Sequence, residues 1–307
     1  MAAVVIDGKA LAAKWKQRIK GEVEQLSRRP TLAVILVGNN PASRVYVNGK
    51  ERDCAECGIL SQEYALPENV GQKALLELID SLNREKEVDG ILCQLPLPRG
   101  FDYDEQEVLL SIDPRKDVDA FHPYNVGRIM IGDYTFLPCT PAGVMAMLDE
   151  YGIDPAGKRC VVVGRSNIVG KPMSMLLLHR HGTVTICHSR TPDLAAITRE
   201  ADILVSAVGK GGLITADMVK EGACVIDVAM NRNDQGKLCG DVDYGPVAEK
   251  AGWITPVPGG CGPMTRVMLL QNTLAAARVF CSSITRVMGP QPPGTGVIQP
   301  AFSATGL

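Results

Sequence analysis

The chain has 307 residues, 46% of them hydrophobic, and a formal net charge of −2, so it can form a sizeable core and has no basic field to attract nucleic acid. No apolar run reaches the roughly 18 residues of a membrane span, and the first ten residues do not resemble a signal peptide. The ten cysteines, mostly inside apolar runs, are typical of buried side chains in a reducing compartment, which favours the cytoplasm.

The first half of the chain alternates strands with helices. Asn40 can cap a helix that begins at Pro41, and Gly58 is suited to end that helix. We expect helices at about residues 8–27, from 40 to near 58 and at 71–84, and strands at 31–38, 60–66 and 90–95. This β-α-β-α-β order predicts a parallel sheet with helices on its faces.

The second half follows the same pattern. We expect strands at 158–164, 183–188, 202–207, 223–228 and 253–257, with a last apolar helix at about 263–280. The segment near 113–142 is rich in Pro, Gly and Asp, which suggests an interdomain cleft. After about residue 281 the chain becomes rich in Pro, Gly and Ser, which predicts a disordered tail.

A glycine turn follows the first strand of the second half, in VVVGRSNIVGKP at residues 161–172. Backbone N–H groups at the start of the next helix can bind a phosphate, so Gly164 and its neighbours predict a nucleotide site. The spacing differs from the usual G-x-G-x-x-G, and a structural turn would also use glycine.

The end of the next strand bears on which dinucleotide binds. NAD-binding units usually carry an acidic residue there for the ribose 2′-hydroxyl, but this strand ends in His-Ser-Arg-Thr at 188–191. Ser189 beside Arg190, together with Arg165 in the turn, suits a 2′-phosphate, because arginine forms charge-assisted bonds with phosphate. The pattern therefore favours NADP over NAD.

Four pieces of sequence predict a second site, in the cleft. Tyr46 and Lys50 are four residues apart, so they lie on one face of their helix. Gln94 ends a strand, Asp117 and Asp119 follow in KDVDAFHP, and PGGCGPMT at 258–265 precedes the last helix. Each piece alone also fits a structural role. A short-chain dehydrogenase, which also uses a Tyr-x-x-x-Lys pair, is excluded. In that class the pair follows the nucleotide turn, whereas here it precedes the turn.

Together these pieces resemble the bifunctional methylenetetrahydrofolate dehydrogenase/cyclohydrolase family. The resemblance covers roughly residues 1–280, in family order. It is carried by NNPASRVYVNGKERDCAECGI, DGILCQLPLP, PRKDVDAFHP, FLPCTPAGV, VVVGRSNIVGKPMSMLL, TVTICHSRT, ADILVSAVG, VIDVAMNR, GDVD and TPVPGGCGPMTRVMLLQNT.

The resemblance implies an α/β fold of two domains. An N-terminal three-layer domain, residues 1–140, would bind folate and be completed by the helix at about 265–280. A Rossmann-type domain at 141–264 would bind NADP, with the active site between the two and residues 281–307 as the tail. A homodimer is also implied.

The resemblance further implies the activity. A hydride passes from 5,10-methylenetetrahydrofolate to NADP⁺, and the methenyl product is then hydrolysed to 10-formyltetrahydrofolate. The implied catalytic residues are Tyr46, Lys50, Gln94 and Asp119, with no metal. Substrate binding would also involve Leu95, Pro96, Pro258, Gly259, Gly260 and Pro263. Cofactor binding would involve Gly164, Arg165, Ser166, Ile168, Val169, Ser189, Arg190 and Thr265.

The chain departs from the family pattern at four positions. A lysine that often follows the catalytic one is Arg52, which keeps the charge but not the ability to transfer protons. The glycine usual after the second Asp of DVD is Ala120, and Ala229 and Cys261 are also unusual.

Two alternatives stay open from the residues themselves: another NADP dehydrogenase, for a small hydroxy acid, and a nucleotide-binding module that has lost catalysis. The close cysteine pair, Cys54 and Cys57, lies near the end of its helix, which disfavours a redox site.

Overall fold

The computed structural model describes residues 2–287. Up to residue 150 its elements are β1 (Val4–Val5), α1 (Gly8–Val23), β2 (Thr31–Val37), α2 (Pro41–Cys57), β3 (Leu60–Leu66), α3 (Gln72–Arg84), β4 (Gly90–Cys93), α4 (Glu105–Ser111), α5 (Pro123–Ile131) and α6 (Cys139–Glu150). They continue with β5 (Arg159–Val163), α7 (Gly170–His179), β6 (Thr183–Cys187), α8 (Leu194–Thr198), β7 (Ile203–Ser206), β8 (Cys224–Asp227), β9 (Asn231–Arg232), β10 (Leu238–Cys239), α9 (Tyr244–Lys250), β11 (Trp253–Ile254) and α10 (Cys261–Val287).

The first sheet has three parallel strands in the order β3-β2-β4. All seven residues of β2 are buried, because helices cover both faces of the sheet. Leu32, Val34 and Leu36 belong to the core on the side of α1, α2 and α10. The alternate residues, of which Ile35 is one, belong to a separate core with α3 and α4. This half of the predicted fold is therefore a three-layer structure.

The second sheet has six parallel strands in the order β1-β11-β8-β7-β5-β6. On β5, Cys160 and Val162 face the core that includes α6 and α7, and Val161 and Val163 face a second core. The residues predicted to bind the nucleotide follow β5 and β6, whose carboxyl ends meet at one edge of the sheet. The predicted α/β class with a Rossmann-type second sheet is confirmed.

Helix α10 joins the two halves. It packs against α1, α2 and α6 and also contacts β2 and β4 of the first sheet. The helix continues to Val287, beyond the predicted end near residue 280, so residues 281–287 of the predicted tail are helical. The rest of that tail, 288–307, lies outside the described residues. None of the helices in residues 2–287 is both long and apolar enough to cross a membrane.

Candidate active site

The helix α2 carries Tyr46 and Lys50 toward the carboxyl end of β4. The Lys50 Nζ donates a hydrogen bond to Oε1 of Gln94 over 3.0 Å. The Gln94 Nε2 donates to the carbonyl of Leu95 over 2.7 Å, which orients the amide with its oxygen toward the lysine. The backbone N–H of Gln94 donates to Ile35 on β2, so the glutamine is anchored to the sheet. The structure thus brings the predicted catalytic residues Lys50 and Gln94 into contact, with Tyr46 one turn before Lys50 on α2.

The two aspartates of KDVDAFHP have different surroundings. The Asp117 carboxylate is buried and accepts bonds from the His122 N–H at 2.8 Å and from Asn125 Nδ2 at 2.9 Å. Asp119 is only partly buried, and its carboxylate is contacted by the Cys139 thiol at 3.8 Å. Asp117 therefore holds its own loop in place, and Asp119 keeps acceptor positions for a ligand.

Removal from water raises the pKa of Asp119 to about 6, because desolvation destabilises its carboxylate. The positive charge of Lys50 lowers this pKa, and the negative charge of Asp117 raises it. Lys50 is therefore close enough to act on Asp119 electrostatically. At neutral pH the carboxylate form predominates, and below about pH 6 it does not.

Two proline-containing turns follow β4 and β11. The Leu95–Pro96 and Val257–Pro258 peptide bonds are both cis. The second turn continues through Gly259 and Gly260 to Pro263 in the first turn of α10. This turn lies against the start of α1, since a Cβ added to Gly8 would be 1.9 Å from the Gly260 carbonyl oxygen.

The predicted phosphate turn is a tight link between β5 and α7. The Ser166 hydroxyl accepts bonds from the N–H groups of Val169 and Gly170, at 3.2 and 3.3 Å. A Cβ added to Gly170 would lie 2.2 Å from the Gly164 carbonyl oxygen, so the turn needs glycine there. Arg165, Ser166 and Ile168 are exposed on this turn. A cofactor phosphate can therefore approach it.

The ends of β5 and β6 are directly joined, because the Gly164 N–H donates to the Cys187 carbonyl over 2.8 Å. Arg165 therefore follows one strand where Ser189 and Arg190 follow the other, and all three are exposed. No carboxylate occupies residues 188–191. This edge has the composition that a 2′-phosphate requires.

Comparison with known proteins decides the family. Residues 6–119 match the model for the tetrahydrofolate dehydrogenase/cyclohydrolase catalytic domain, and residues 138–281 match the model for its NAD(P)-binding domain. The chain belongs to the tetrahydrofolate dehydrogenase/cyclohydrolase family. The predicted family, fold class, bifunctional enzyme class and NADP cofactor are confirmed, and the hydroxy-acid dehydrogenase alternative is excluded.

Individual members of the family are similar over most of their length. The chain is 58% identical to the bifunctional protein FolD of Acetivibrio thermocellus, over 91% of this chain and 98% of that one. The crystal structure of the bifunctional enzyme from Campylobacter jejuni has a TM-score of 0.88 at 50% identity, covering 91% and 99% of the two chains. The enzyme of Trypanosoma brucei, solved with NADP and an inhibitor, has a TM-score of 0.86 at 40% identity, covering 92% and 99%.

In this dehydrogenase/cyclohydrolase, Thr265 makes contacts within the protein. Its hydroxyl lies 3.0 Å from that of Thr140 and donates to the Cys261 carbonyl at 3.1 Å, joining α10 to α6. The predicted role of Thr265 in cofactor binding stays a prediction.

The sequence pattern did not reveal the role of Asp241, although GDVD was among the matching stretches. This fully buried carboxylate fixes the loop after β7, which passes close to the nucleotide turn at Gly164. It accepts bonds from the Ser206 hydroxyl, the N–H groups of Val208, Gly209 and Lys210, and Asn231 Nδ2, at 2.7–3.3 Å.

Another contact that the sequence did not reveal joins the two halves of the dehydrogenase/cyclohydrolase. The Tyr46 hydroxyl donates to Sδ of Met230 at 3.5 Å. Met230 follows β8 of the second sheet, so Tyr46 lies where the two sheets face each other. Burial raises the pKa of Tyr46, and the nearby charge of Arg266 lowers it.

The cysteine pair of α2 lacks the properties of a redox site. Burial raises the pKa of Cys54 to about 12 and that of Cys57 to about 11, so both are thiols at neutral pH. Within residues 2–287, no group of three or more His, Cys, Asp and Glu side chains is arranged to hold a metal ion.

Proposed function

We propose that this chain oxidises 5,10-methylenetetrahydrofolate with NADP⁺ and hydrolyses the methenyl product to 10-formyltetrahydrofolate in one cleft. The observation that carries the proposal is the hydrogen bond from Lys50 to Gln94, with the Asp119 carboxylate within electrostatic reach of the lysine. An amine, an amide and a carboxylate converge beside a tyrosine where the two sheets face each other.

Asp119 orients the substrate. The amino-pyrimidine edge of the pterin presents paired N–H donors, and a carboxylate only accepts hydrogen bonds. The partly buried position of Asp119 strengthens these bonds relative to water. The pterin is thereby held with its reactive side toward Lys50. The turns at Leu95–Pro96 and Pro258–Pro263 form the walls of the folate site.

The dehydrogenase step depends on positioning. NADP⁺, when bound, accepts a hydride from the methylene carbon, which leaves a methenyl cation. The turn at 164–170 and the residues after β6 would hold the phosphates of the cofactor. Tyr46 packs beside the reacting carbon and limits the movement of the folate. The chain contributes alignment of the two reactants, which can lower the barrier without proton transfer.

The cyclohydrolase step requires proton transfer. Water adds to the methenyl carbon and releases one of its protons to solvent. Its second proton passes to the ring nitrogen as the C–N bond breaks, which leaves the formyl group on the other nitrogen. Lys50, held by Gln94 Oε1, orients this water and mediates the proton transfer. Tyr46, one turn before Lys50 on α2, helps to orient the lysine side chain.

The test is an assay with 5,10-methylenetetrahydrofolate and NADP⁺ that follows NADPH and methenyl absorbance separately. We expect NADPH to form and the methenyl compound to be consumed as formyltetrahydrofolate appears. Turnover of neither compound by folded protein would refute the proposal. Accumulation of the methenyl compound without hydrolysis would restrict the chain to the dehydrogenase step.

We expect a higher kcat/KM with NADP⁺ than with NAD⁺, and we expect Arg165→Ala to reduce that preference about tenfold. The guanidinium would pair with the 2′-phosphate, and such charge-assisted bonds are worth about 1.5–3 kcal/mol. The kcat and the KM are measured with NADP⁺ and with NAD⁺. Arg159→Ala, at the start of β5 away from the turn, is the control. Unchanged selectivity in Arg165→Ala would contradict the phosphate-site assignment.

We also propose a cytoplasmic homodimer that associates through the second sheet. Strand β6 is at the edge of that sheet and carries Ile186, which is 38% exposed, and the neighbouring helix α7 carries Leu178, which is 50% exposed. An exposed strand edge with apolar side chains suits pairing with a second copy. Light scattering at micromolar concentration should give twice the chain mass. The Ile186→Lys variant should have the mass of the monomer. A monomeric wild type would refute the proposal.

A further inference from the structure

Arg266 lies beside the candidate active site and has no part in the steps above. It is on the second turn of α10, and its Nε donates to Oδ2 of Asp53 over 2.6 Å. The Asp53 side chain is 4% exposed, and its other oxygen lies 3.3 Å from Nζ of Lys16. The guanidinium is therefore held in a fixed orientation by a buried carboxylate.

The arginine side chain crosses α2 where that helix has no side chain. A Cβ added to Gly49 would lie 3.5 Å from Cδ and 3.6 Å from Nε of Arg266. Glycine at this position therefore leaves room for the arginine stem. The Arg266 side chain is 28% exposed, and the Nε atom makes its one hydrogen bond within residues 2–287. Four N–H donors on the two Nη atoms are available to a ligand.

The position of Arg266 relative to Tyr46 follows from helix geometry. On α2, Lys50 is four residues after Tyr46 and Gly49 is three residues after it, so they project to opposite sides of the tyrosine. Gln94 and Asp119, the side chains proposed to contact the pterin, are on the Lys50 side. Arg266 is on the Gly49 side. The effect of Arg266 on the pKa of Tyr46 shows that guanidinium and phenol are close.

We propose that Arg266 binds a carboxylate of the glutamate tail of the folate substrate and so determines specificity for folates with this tail. The inference rests on the proposed function. A folate that lies across Tyr46 with its pterin toward Lys50 directs its tail to the other side of the tyrosine, where Arg266 is. Asp53 uses one N–H of the guanidinium, and the planar Nη pair fits a second carboxylate with two parallel bonds.

Equilibrium binding tests the proposal independently of turnover. Calorimetry is performed with 5-formyltetrahydrofolate and with the carboxamide of the corresponding tetrahydropteroate (here called the pteroate), in which an uncharged amide replaces the glutamate. We expect Arg266→Gln to raise the Kd for the folate about tenfold and to leave the Kd for the pteroate unchanged. Wild type should bind the pteroate about as weakly as Arg266→Gln binds the folate. Arg266→Lys should recover part of the affinity, because it keeps the charge without the planar pair.

Arg278→Gln is the matched control. Arg278 is also on α10, but it pairs with Glu22 over 2.8 Å, so both affinities should equal those of wild type. Equal loss of affinity for both ligands in Arg266→Gln would show a general structural effect and overturn the proposal. An unchanged folate Kd would overturn it as well, with the proposed function intact. Failure of wild type to bind either ligand would refute both the proposed function and this inference.

Discussion

Replacing Lys50 with methionine is expected to reduce the cyclohydrolase rate about 10²–10⁴-fold, the range typical of a lost proton-transfer group. Methionine has a similar length and cannot donate to Gln94 or exchange a proton with water. The dehydrogenase rate should fall less than about tenfold, because hydride transfer depends on alignment rather than on a proton acceptor. Hydrolysis of added methenyltetrahydrofolate and formation of NADPH measure the two steps separately.

Arg52→Met is the control for this substitution. It removes a positive charge from an exposed position two residues away on the same helix, and it should leave both rates nearly unchanged. Lys50→Arg keeps the charge but cannot release a proton near neutral pH, so it should also lose the cyclohydrolase step. Equal loss of both activities in folded Lys50→Met would show that the lysine acts in folate binding instead.

The second large effect is expected at Asp119. Asp119→Ala should weaken folate binding by about 1–3 kcal/mol, the cost of leaving buried donors unpaired, and leave the Kd for NADP⁺ nearly unchanged. Asp119→Asn should also be damaging, because its amide presents a donor where the pterin requires an acceptor. Calorimetry with each ligand alone measures both effects.

The pH dependence provides an independent check on Asp119. Its pKa of about 6 means that lowering the pH below that value protonates the carboxyl and removes an acceptor. Folate affinity of the wild type should therefore fall with decreasing pH below about 6, and this decrease should be absent in Asp119→Asn. Asp117→Ala should act differently, by destabilising the fold, since it leaves His122 N–H and Asn125 without their acceptor. Normal folate binding by Asp119→Ala would show that the assignment is wrong.

Local patterns predicted most of the first sheet. The strand at 60–66 agrees with its predicted range, and α2 begins at Pro41 and ends just before Gly58, as its capping residues indicate. The two-residue β1 was not predicted, because so short a strand has no period of its own and is defined only by its pairing with β11. Helix α5 was also missed, since it is short and lies in the segment near 113–142 whose proline and glycine content suggested a loop, and the seven-residue α4 just before that segment was missed as well.

The candidate site was predictable where motifs are local and not where contacts are distant. Tyr46 and Lys50 could be paired from their spacing alone. The contact between Arg266 and Asp53 joins residues 213 positions apart, and no periodicity reveals it.

Ala120 is a position that the sequence marked as unusual and that only the structure explains. It adopts a φ of 57°, a conformation that favours the glycine expected from the resemblance, so the departure from the family pattern marks a strained turn next to Asp119.

The interleaving of the two halves constrains the order in which they can form during synthesis. Val4 and Val5 complete the second sheet, and α10 completes the covering of the first sheet against α1. Neither half therefore has all of its elements until β11 and α10 have left the ribosome. Domains usually fold in the order in which they emerge. In this protein the amino-terminal half must wait for the helix α10, with the apolar faces of α1 and β2 exposed to solvent or to chaperones during that interval.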